Sequence, residues 1–499
     1  MNSRSPQGLL EALDLPALSK TIIEACQTAN QQQDAIQSDS QGDHWLWWKH
    51  GVVYQIYPRS FQDSNDDGIG DLQGIIQRLD YLNDCTEESL GVDAIWLSPI
   101  FPSPMADFGY DVENYCDIAE EFGSLKDLDD LIIECHKRGI RVILDLVFNH
   151  TSDQHPWFKE SCQNNSSKRD WYLWHEGKGR DGKDRPNNWL SCFGGPGWTF
   201  NQDRNAWYFH SFLPQQPDLN WRNPEVKAAL FDIMRFWLDR GVDGFRLDVA
   251  NFYFKDAKLR DNPVRPFRIA RPYDRQIHQF DRDQPELVEL FKEMRAITDS
   301  YDQRMLVGEI FTHAELATSI AAQYQGQDDA LNLTFNFEFL QCPFSAPAFR
   351  KIISEWMNKL GKENWPTFTL GNHDLQRMAS RYADNGNTND RMKLLATLLL
   401  TLKGTPFLYY GDELGMPEQR VPKDQLQDPA GIQYWPWYPG RDGCRRPMMW
   451  SENPEDFSTT QAWLASEPVL AQSYAYQKNL PESLFNWYKL LIHWRKGQP

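Results

Sequence analysis

The chain has 499 residues, which is enough for one large barrel or for roughly two to three ordinary domains. Hydrophobic residues make up 41% of it, so a sizeable core can be buried. The formal net charge of −19 argues against binding to nucleic acid or to an anionic membrane surface, and it fits a neutral small-molecule ligand.

The eight cysteines are scattered, and none forms a CxxC pair, so neither a zinc site nor a redox motif is expected. We interpret them as mostly free thiols of a reducing compartment, which predicts a cytoplasmic protein. The N-terminus has no apolar stretch of the kind found in secretory signals, and no run approaches the roughly 18 apolar residues of a membrane span. We expect a monomer or a small homo-oligomer, without a membrane or nucleic-acid partner.

Residues 1–43 differ in composition from the rest of the chain. A short leucine-containing stretch, typical of an amphipathic helix, is followed by a polar stretch with little to bury. We predict a partly disordered N-terminal extension here.

From His44 onward, short apolar runs alternate with helical segments. Each run is of strand length and rich in β-branched or aromatic residues. The runs lie at 52–57, 93–98, 141–147, 243–249, 304–310, 331–337, 367–371 and 406–411. Eight strands alternating with helices predict an α/β fold, the (β/α)8 TIM barrel, with an open doubly wound sheet as the alternative.

Two segments interrupt this alternation. Residues 149–217, after the third strand, are too long for a simple connection and predict an inserted small domain B between barrel segments 44–148 and 218–499. A second long loop, 412–450, follows the eighth strand. Because both segments follow strands, we expect them at the C-terminal rim of the barrel, where barrel enzymes carry their active sites.

Carboxylates lie at the ends of four different predicted strands: Asp145, Asp248, Glu309 and Asp374. Burying unpaired carboxylates is costly, so this pattern favours a functional site over isolated salt bridges. Arg246 lies two residues before Asp248 in one strand, faces the same side, and can hold that carboxylate ionised. An immobile carboxylate can attack an anomeric carbon, and Glu309 from the next strand can protonate the leaving oxygen.

Five motifs carry a resemblance to a known family. DLVFNH (145–150), GFRLDVA (244–250), VGEI (307–310) and GNHD (371–374) resemble, in order, the four conserved blocks of glycoside hydrolase family 13, the α-amylase family. QPDLN (216–220) resembles the fifth block in its α-glucosidase and oligo-1,6-glucosidase branch. The resemblance covers the chain from about His44 to its end.

This resemblance implies a retaining, exo-acting α-glucosidase that hydrolyses terminal α-1,4 and/or α-1,6 bonds of short oligosaccharides or glucosides. One alternative is a transglucosylase or a sucrose- or trehalose-type isomerase that uses the same covalent intermediate. Another alternative is a non-catalytic, transporter-associated relative. Such proteins typically lose one or more of the family's three catalytic acids, whereas this chain keeps all three, at Asp248, Glu309 and Asp374.

The resemblance also implies the roles of single residues. Asp248 matches the nucleophile, Glu309 the general acid/base, and Asp374 the third acid, which stabilises the distorted sugar. The residues that match sugar-binding positions are Asp107, Tyr110, His150, Arg246, His373 and Arg441. Arg441 is the expected partner of Asp107, and together they would close the far end of the pocket, which implies exo-action. Arg446 stands where the family usually has Thr, a departure expected to concern the acceptor side of the pocket.

The segment DSNDDGIGD (63–71) follows the first strand and alternates oxygen-bearing side chains. Its candidate metal ligands are Asp63, Asn65, Asp67, the carbonyl of Ile69, and Asp71. Oxygen ligands at this spacing suit Ca²⁺, although the match to an EF-hand is incomplete. The family resemblance implies a structural Ca²⁺ or Mg²⁺ here. The alternative is a polar turn that caps a helix beginning near Leu72.

Val249, directly after Asp248, is associated in this branch with α-1,6 activity, so we expect isomaltose-type or mixed specificity. The long excursion at 252–286 is expected to build the acceptor side of the pocket. Family members usually continue into a C-terminal β-sandwich, whereas this chain ends in what resembles the last barrel helix. That final domain is therefore expected to be missing or truncated.

Overall fold

The structure, a computed structural model, describes residues 45–265, 271–311, 314–384, 386 and 388–497. The predicted extension at 1–43 lies outside the described residues. The strands are β1 (Val53–Ile56), β2 (Ala94–Leu97), β3 (Arg141–Leu146), β4 (Trp174–His175), β5 (Trp198–Asn201), β6 (Ala206–Phe209), β7 (Gly244–Leu247), β8 (Met305–Gly308), β9 (Leu333–Thr334), β10 (Thr367–Thr369) and β11 (Thr405–Tyr409).

Eight of these strands form one parallel sheet in the order β10-β11-β1-β2-β3-β7-β8-β9. The two end strands, β9 and β10, lie close together. The Thr367 hydroxyl on β10 donates a hydrogen bond to the Thr334 carbonyl on β9. The sheet is thus a nearly closed barrel, which confirms the predicted (β/α)8 fold over the open doubly wound sheet. Nearly every strand residue is buried, as expected for parallel strands covered by helices.

The helices connect and cover these strands. They are α1 (Trp47–His50), α2 (Leu72–Gln77), α3 (Leu79–Leu82), α4 (Leu125–Lys137), α5 (Pro156–Ser161), α6 (Pro224–Asp239), α7 (Pro272–Arg275), α8 (Leu287–Thr298), α9 (Ala314–Gln325), α10 (Phe337–Leu340), α11 (Ala346–Leu360), α12 (Met378–Arg381), α13 (Thr388–Thr401), α14 (Pro429–Tyr434), α15 (Tyr474–Gln477) and α16 (Leu484–Lys496).

Local sequence explains where the long helices begin. Ser124 and Asp127 form a capping box at the start of α4. Asn223 caps α6 by accepting from the Glu225 N–H, and Pro224 fits the first helical turn. Each helix then buries an apolar stripe against the barrel, so that the strand ends carrying the polar residues are held rigidly.

The segment between β3 and β7 contains its own sheet. Strands β4, β6 and β5 pair antiparallel in that order, separately from the barrel. The boundaries 149–217 predicted for domain B remain a prediction. Because this sheet follows the C-terminal end of β3, it lies on the barrel rim expected to hold the active site.

The end of the chain folds back onto the barrel. Helix α16 packs against α13, and the Arg495 guanidinium donates to the carbonyls of Leu400 and Leu402 at 2.8 and 2.9 Å. Throughout the described part of the chain, no helix combines the length and apolarity needed to cross a membrane.

Candidate active site

The barrel rim holds a cavity of about 460 Å³, a size typical of small-molecule sites. Eight of the nine residues predicted to be catalytic or sugar-binding line it: Asp107, Tyr110, His150, Asp248, Glu309, His373, Asp374 and Arg441. The ninth, Arg246, is fully buried beneath them. The structure therefore brings all the predicted catalytic and sugar-binding residues together.

Arg246 lies at the base of the site and contacts three carboxylates. Its Nη1 donates to Asp145 Oδ1 and Asp248 Oδ1, both at 2.7 Å, and its Nη2 donates to Glu309 Oε2 at 2.6 Å. The parallel register of β3, β7 and β8 places these groups side by side. Because one guanidinium bonds both Asp248 and Glu309, the two carboxyls share the same small space.

Three carboxyls around a single cation cannot all ionise easily. Burial raises the pKa of Asp248 well above its usual range, while Arg246 opposes this effect. Burial raises the pKa of Glu309 and brings the pKa of Asp145 to about 6. A proton shared within this group suits a site that must offer one carboxylate and one carboxylic acid together.

Asp374 has the opposite electrostatic environment. Its Oδ1 lies 3.2 Å from Arg441 Nη1 and 3.2 Å from Arg445 Nη2. Burial opposes its ionisation, but His373 and the two guanidinium groups hold the pKa of Asp374 well below its usual range. Burial lowers the pKa of His373 to about 3, so its imidazole is neutral near pH 7 and the arginines carry the compensating charge.

An ion pair forms part of the cavity wall. Arg441 Nη2 lies 2.6 Å from Asp107 Oδ1, and Arg441 Nε donates to Asp428 Oδ1 at 2.6 Å. Asp107 and Asp428 are both buried. The guanidinium of Arg441 thus joins the loop after β2 to the loop after β11, as expected for the predicted closed end of the pocket.

Tyr110 contacts both pocket histidines, His373 through its ring and His150 through its backbone carbonyl. The Tyr110 ring lies parallel to the His373 ring, with centroids 5.3 Å apart, and its hydroxyl lies 2.7 Å from His373 Nε2. His150 Nε2 lies 2.9 Å from the Tyr110 carbonyl oxygen. These contacts fix the donors and acceptors that face the pocket.

The family model for the α-amylase catalytic domain matches residues 55–499. The chain belongs to the α-amylase family of glycoside hydrolases. It is 45% identical over 465 residues to a probable α-glucosidase of Rhizobium meliloti strain 1021, which covers 91% of this chain and 83% of that protein. It is 38% identical over 485 residues to an oligo-1,6-glucosidase of Parageobacillus thermoglucosidasius, covering 90% of this chain and 84% of that protein.

Solved structures of this family give the same result for the fold. The crystal structure of an α-glucosyl transfer enzyme superposes with a TM-score of 0.85 at 43% identity, over 91% of this chain and 85% of that one. The α-amylase family membership and the α-glucosidase branch predicted from the five motifs are thereby confirmed.

Sequence reasoning missed several residues of this α-amylase family site. Gln216 lines the pocket and donates from Nε2 to Asp107 Oδ2 and to the Tyr110 carbonyl, each at 3.1 Å. It stands in the QPDLN motif, which was used to recognise the branch but not to assign a side chain. Arg445, on Asp374, and Asp428, on Arg441, were also missed, because only the folded loops bring them to the site.

The predicted departure at Arg446 lies away from the pocket. Arg446 is buried, donates to the Arg420 carbonyl at 3.4 Å, and is not among the described pocket-lining residues. Val249, by contrast, lines the pocket with a left-handed backbone at φ 35°, which is rare for a β-branched residue. In this conformation its N–H donates to Glu309 Oε2 at 3.0 Å. Backbone strain directly after Asp248 thus helps to position the neighbouring carboxyl.

The loop at 63–71 is held by its own side chains. Asp63 accepts hydrogen bonds from the N–H groups of Asn65 and Gly68 at 3.0 and 2.8 Å. Asp71 caps α2, which begins at Leu72, by accepting from the Gly74 N–H at 2.7 Å. Among the described residues, no group of three or more His, Cys, Asp or Glu side chains is arranged to hold a metal ion. The all-oxygen donor set still suits a hard divalent cation in its chemistry.

Proposed function

We propose that the protein is a retaining, exo-acting α-glucosidase that releases glucose from the non-reducing end of short α-1,4- or α-1,6-linked oligosaccharides and glucosides. The observation that carries the proposal is the contact of Asp248 and Glu309 with the single guanidinium of Arg246 at the base of the pocket that both carboxyls line. The names of the two curated relatives, probable α-glucosidase and oligo-1,6-glucosidase, support the same activity.

In the first step, an Asp248 carboxylate oxygen attacks the anomeric carbon while Glu309 protonates the leaving oxygen. Burial raises the pKa of both carboxyls and Arg246 opposes this in both, so a single proton held between them can leave one carboxylate to attack and one acid to protonate. In the second step, Glu309 takes a proton from water, and the water oxygen displaces Asp248 from the sugar. Two displacements at one carbon retain its configuration.

The closed end of the pocket accounts for exo-action. Asp107, held by Arg441 and Gln216, presents a carboxylate to the glucose hydroxyls remote from the scissile bond. A glucan chain extended in that direction would collide with the ion pair, so only a terminal glucose fits. Asp374, kept ionised by two arginines, serves the hydroxyls nearer the reacting carbon.

We further propose that Asp63, Asn65, Asp67, Asp71 and the Ile69 carbonyl hold a structural Ca²⁺ or Mg²⁺ that stabilises the loop. The loop packs on 457–463, with the Trp463 N–H donating to the Gly68 carbonyl at 2.9 Å. We place the protein in the cytoplasm, and the seven described cysteines, all free thiols, support this placement.

The proposed activity is tested with maltose, isomaltose, sucrose, trehalose and an aryl α-glucoside assayed side by side. We expect glucose from maltose and isomaltose, with the α-anomer formed first, as followed by NMR. If sucrose or trehalose were instead rearranged into another disaccharide without net release of glucose, the isomerase alternative would replace this proposal.

A further inference from the structure

The His373 ring packs against three buried aromatic side chains. The Tyr110 ring lies parallel to it, with the ring centroids 5.3 Å apart, and the Tyr57 ring lies nearly parallel to it at 6.3 Å. The Trp96 ring meets it edge-on at 6.1 Å. Because these three neighbours are buried, the imidazole cannot turn over without displacing them, and each of its two nitrogens faces a fixed partner.

The partner of His373 Nε2 shows where the proton of the ring lies. Nε2 is 2.7 Å from the Tyr110 hydroxyl oxygen, and that hydroxyl donates to Asp145 Oδ2 at 3.1 Å. The same carboxylate oxygen accepts from the Trp96 indole at 3.3 Å, while Arg246 donates to the other oxygen at 2.7 Å. Asp145 is thus an acceptor on both oxygens. The Tyr110 oxygen must then accept from His373, which places the proton of the neutral ring on Nε2.

The other nitrogen of the ring, Nδ1, faces an amide. Gln55 lies on β1, is buried, and has its Nε2 2.8 Å from His373 Nδ1. In a neutral imidazole with its proton on Nε2, Nδ1 can only accept, so Gln55 donates to it. The amide also donates to Ser98 Oγ at 3.2 Å, which uses its second hydrogen. The hydrogen bonds therefore run in one direction, from Gln55 through His373 and Tyr110 to Asp145.

Gln55 uses only its amide N–H groups in these contacts. Its Oε1 is buried and has no hydrogen-bond partner within the described part of the chain. A buried carbonyl without a partner is costly, so this orientation of the amide calls for a compensating role. A histidine Nδ1 commonly donates to a carbonyl or carboxylate oxygen. Here the amide makes Nδ1 an acceptor instead, which keeps the proton on Nε2, beside the pocket-lining Tyr110 and Asp374.

We propose that Gln55 is a positioning residue for the reaction, whose amide N–H group fixes His373 as the neutral tautomer protonated on Nε2, so that His373 offers a hydrogen-bond donor to the sugar. Gln55 is not among the described pocket-lining residues, and it acts through His373. This inference rests on the proposed α-glucosidase function, because it concerns a ring that faces the sugar in the same pocket.

The charge of residue 55 matters because His373 has ionisable neighbours. The titratable and charged groups around its ring are Asp374, Arg246, Arg441, Arg445, Tyr57 and Tyr110. Burial disfavours the imidazolium, the three arginines add to this effect, and Asp374 opposes it. The neutral amide of Gln55 leaves this balance unchanged, whereas a carboxylate at the same position would attract a proton to Nδ1.

Gln55→Glu reverses the polarity of this contact and gives a defined pH dependence. When the Glu and His373 together hold one proton, Nε2 keeps its hydrogen, either in an imidazolium or in a neutral ring that accepts from the carboxylic acid. When that proton is lost, Nδ1 donates to the carboxylate and Nε2 is bare. We expect kcat/KM on p-nitrophenyl α-glucoside, relative to the parent, to fall by at least about 10-fold between about pH 5 and pH 8, since each unit above a pKa lowers the protonated fraction about 10-fold. A ratio that is constant or rises with pH would overturn the inference.

Two further variants separate positioning from packing. Gln55→Met keeps an unbranched side chain but donates nothing, and should lower kcat/KM by about 10-fold at both pH values, roughly the effect of one lost hydrogen bond. Gln477→Glu is the control for burying a carboxylate, because Gln477 is also buried but does not line the pocket. Its pH profile should match that of the parent. Parental activity in Gln55→Met, or the same pH dependence in Gln477→Glu, would overturn the inference.

The tautomer itself is measured by ¹⁵N NMR on protein labelled at histidine, with His373→Asn identifying the signals of this ring. We expect a protonated Nε2 and a bare Nδ1 in the parent, and a mixture of both tautomers in Gln55→Met. A parent ring protonated on Nδ1 would overturn the inference even if no variant folds. Without nitrophenol release by the parent, the proposed glucosidase function itself fails, whereas nitrophenol release together with the wrong tautomer removes only the role of Gln55.

Discussion

Arg441→Met tests the closed end of the pocket through stability as well as activity. The side chain keeps its approximate length but loses its charge, which leaves Asp107, Asp428 and Asp374 without a shared cation. Asp428 and Asp107 have side chains only 0% and 5% exposed, so water cannot replace the guanidinium.

The expected magnitude follows from these contacts. At an effective dielectric constant of about 20, each close charge pair contributes about 4 kcal/mol before desolvation is subtracted. Removing one partner of a buried pair typically costs about 3 to 5 kcal/mol in net terms. We therefore expect the free energy of unfolding to fall by about 3 to 5 kcal/mol at pH 7, together with a large loss of kcat/KM.

The loss should depend on pH in a defined direction. Burial opposes the ionisation of Asp428, but Arg441 and Arg445 hold its pKa below the usual range. The ionised Asp428 carboxylate therefore stabilises the folded protein above about pH 4, and this contribution is lost as the pH falls through the folded-state pKa of Asp428. In Arg441→Met, burial of the Asp428 carboxylate is opposed only by Arg445 and by backbone N–H groups such as that of Gly431, so protonation of Asp428 becomes less costly. The stability difference from the parent should shrink between pH 7 and pH 5.

Urea unfolding followed by tryptophan fluorescence at both pH values measures this difference. Arg235→Met is the control, because Arg235 pairs at 2.9 Å with Asp232 and the two side chains are 47% and 77% exposed. Exposed pairs contribute about 0 to 1 kcal/mol, so this control should unfold almost like the parent at both pH values. An Arg441→Met protein with parental stability at pH 7 would refute the reasoning.

Three further predictions concern the reaction, the linkage and the metal loop. Glu309→Gln should lose nearly all activity on maltose but keep much more on p-nitrophenyl α-glucoside, whose leaving group needs no proton; equal losses in steady-state assays would argue against the acid role. Val249→Thr keeps the β-branched shape but adds a hydroxyl to the pocket lining, and should raise the ratio of maltose to isomaltose hydrolysis by roughly 3- to 10-fold; an unchanged ratio would remove Val249 as a linkage determinant. Chelation by EDTA should lower the unfolding temperature of the parent, and Ca²⁺ or Mg²⁺ should restore it, with Asp63→Ala insensitive to both; a parent unaffected by EDTA would leave the loop as a polar turn.

The barrel could be predicted because strand ends and motifs are local in sequence. Strands predicted at 141–147 and 243–249 are observed at Arg141–Leu146 and Gly244–Leu247. The sixth strand is shorter, Leu333–Thr334 instead of 331–337, because α10 begins at Phe337, capped by Asn336. Tertiary packing here ends the strand before its β-branched and aromatic pattern does.

The parts of the site that could not be predicted depend on distant loops. Arg445 reaches Asp374, and Asp428 reaches Arg441, only because the loop after β11 folds over the rim. No spacing rule links such residues. The pocket-lining Phe193 and Phe311 could not be predicted for the same reason: Phe193 comes from the inserted segment and Phe311 from the loop after β8, and phenylalanine at either position is equally compatible with a core.

Trapping the glucosyl enzyme tests the central claim most directly. Incubation with 5-fluoro-α-glucosyl fluoride, whose fluorine slows hydrolysis of the sugar ester, should add one fluoroglucosyl group to the protein. Peptide mass spectrometry should place it on Asp248. A label on any other carboxylate, or inverted product configuration without a label, would contradict the account of a covalent attack by Asp248.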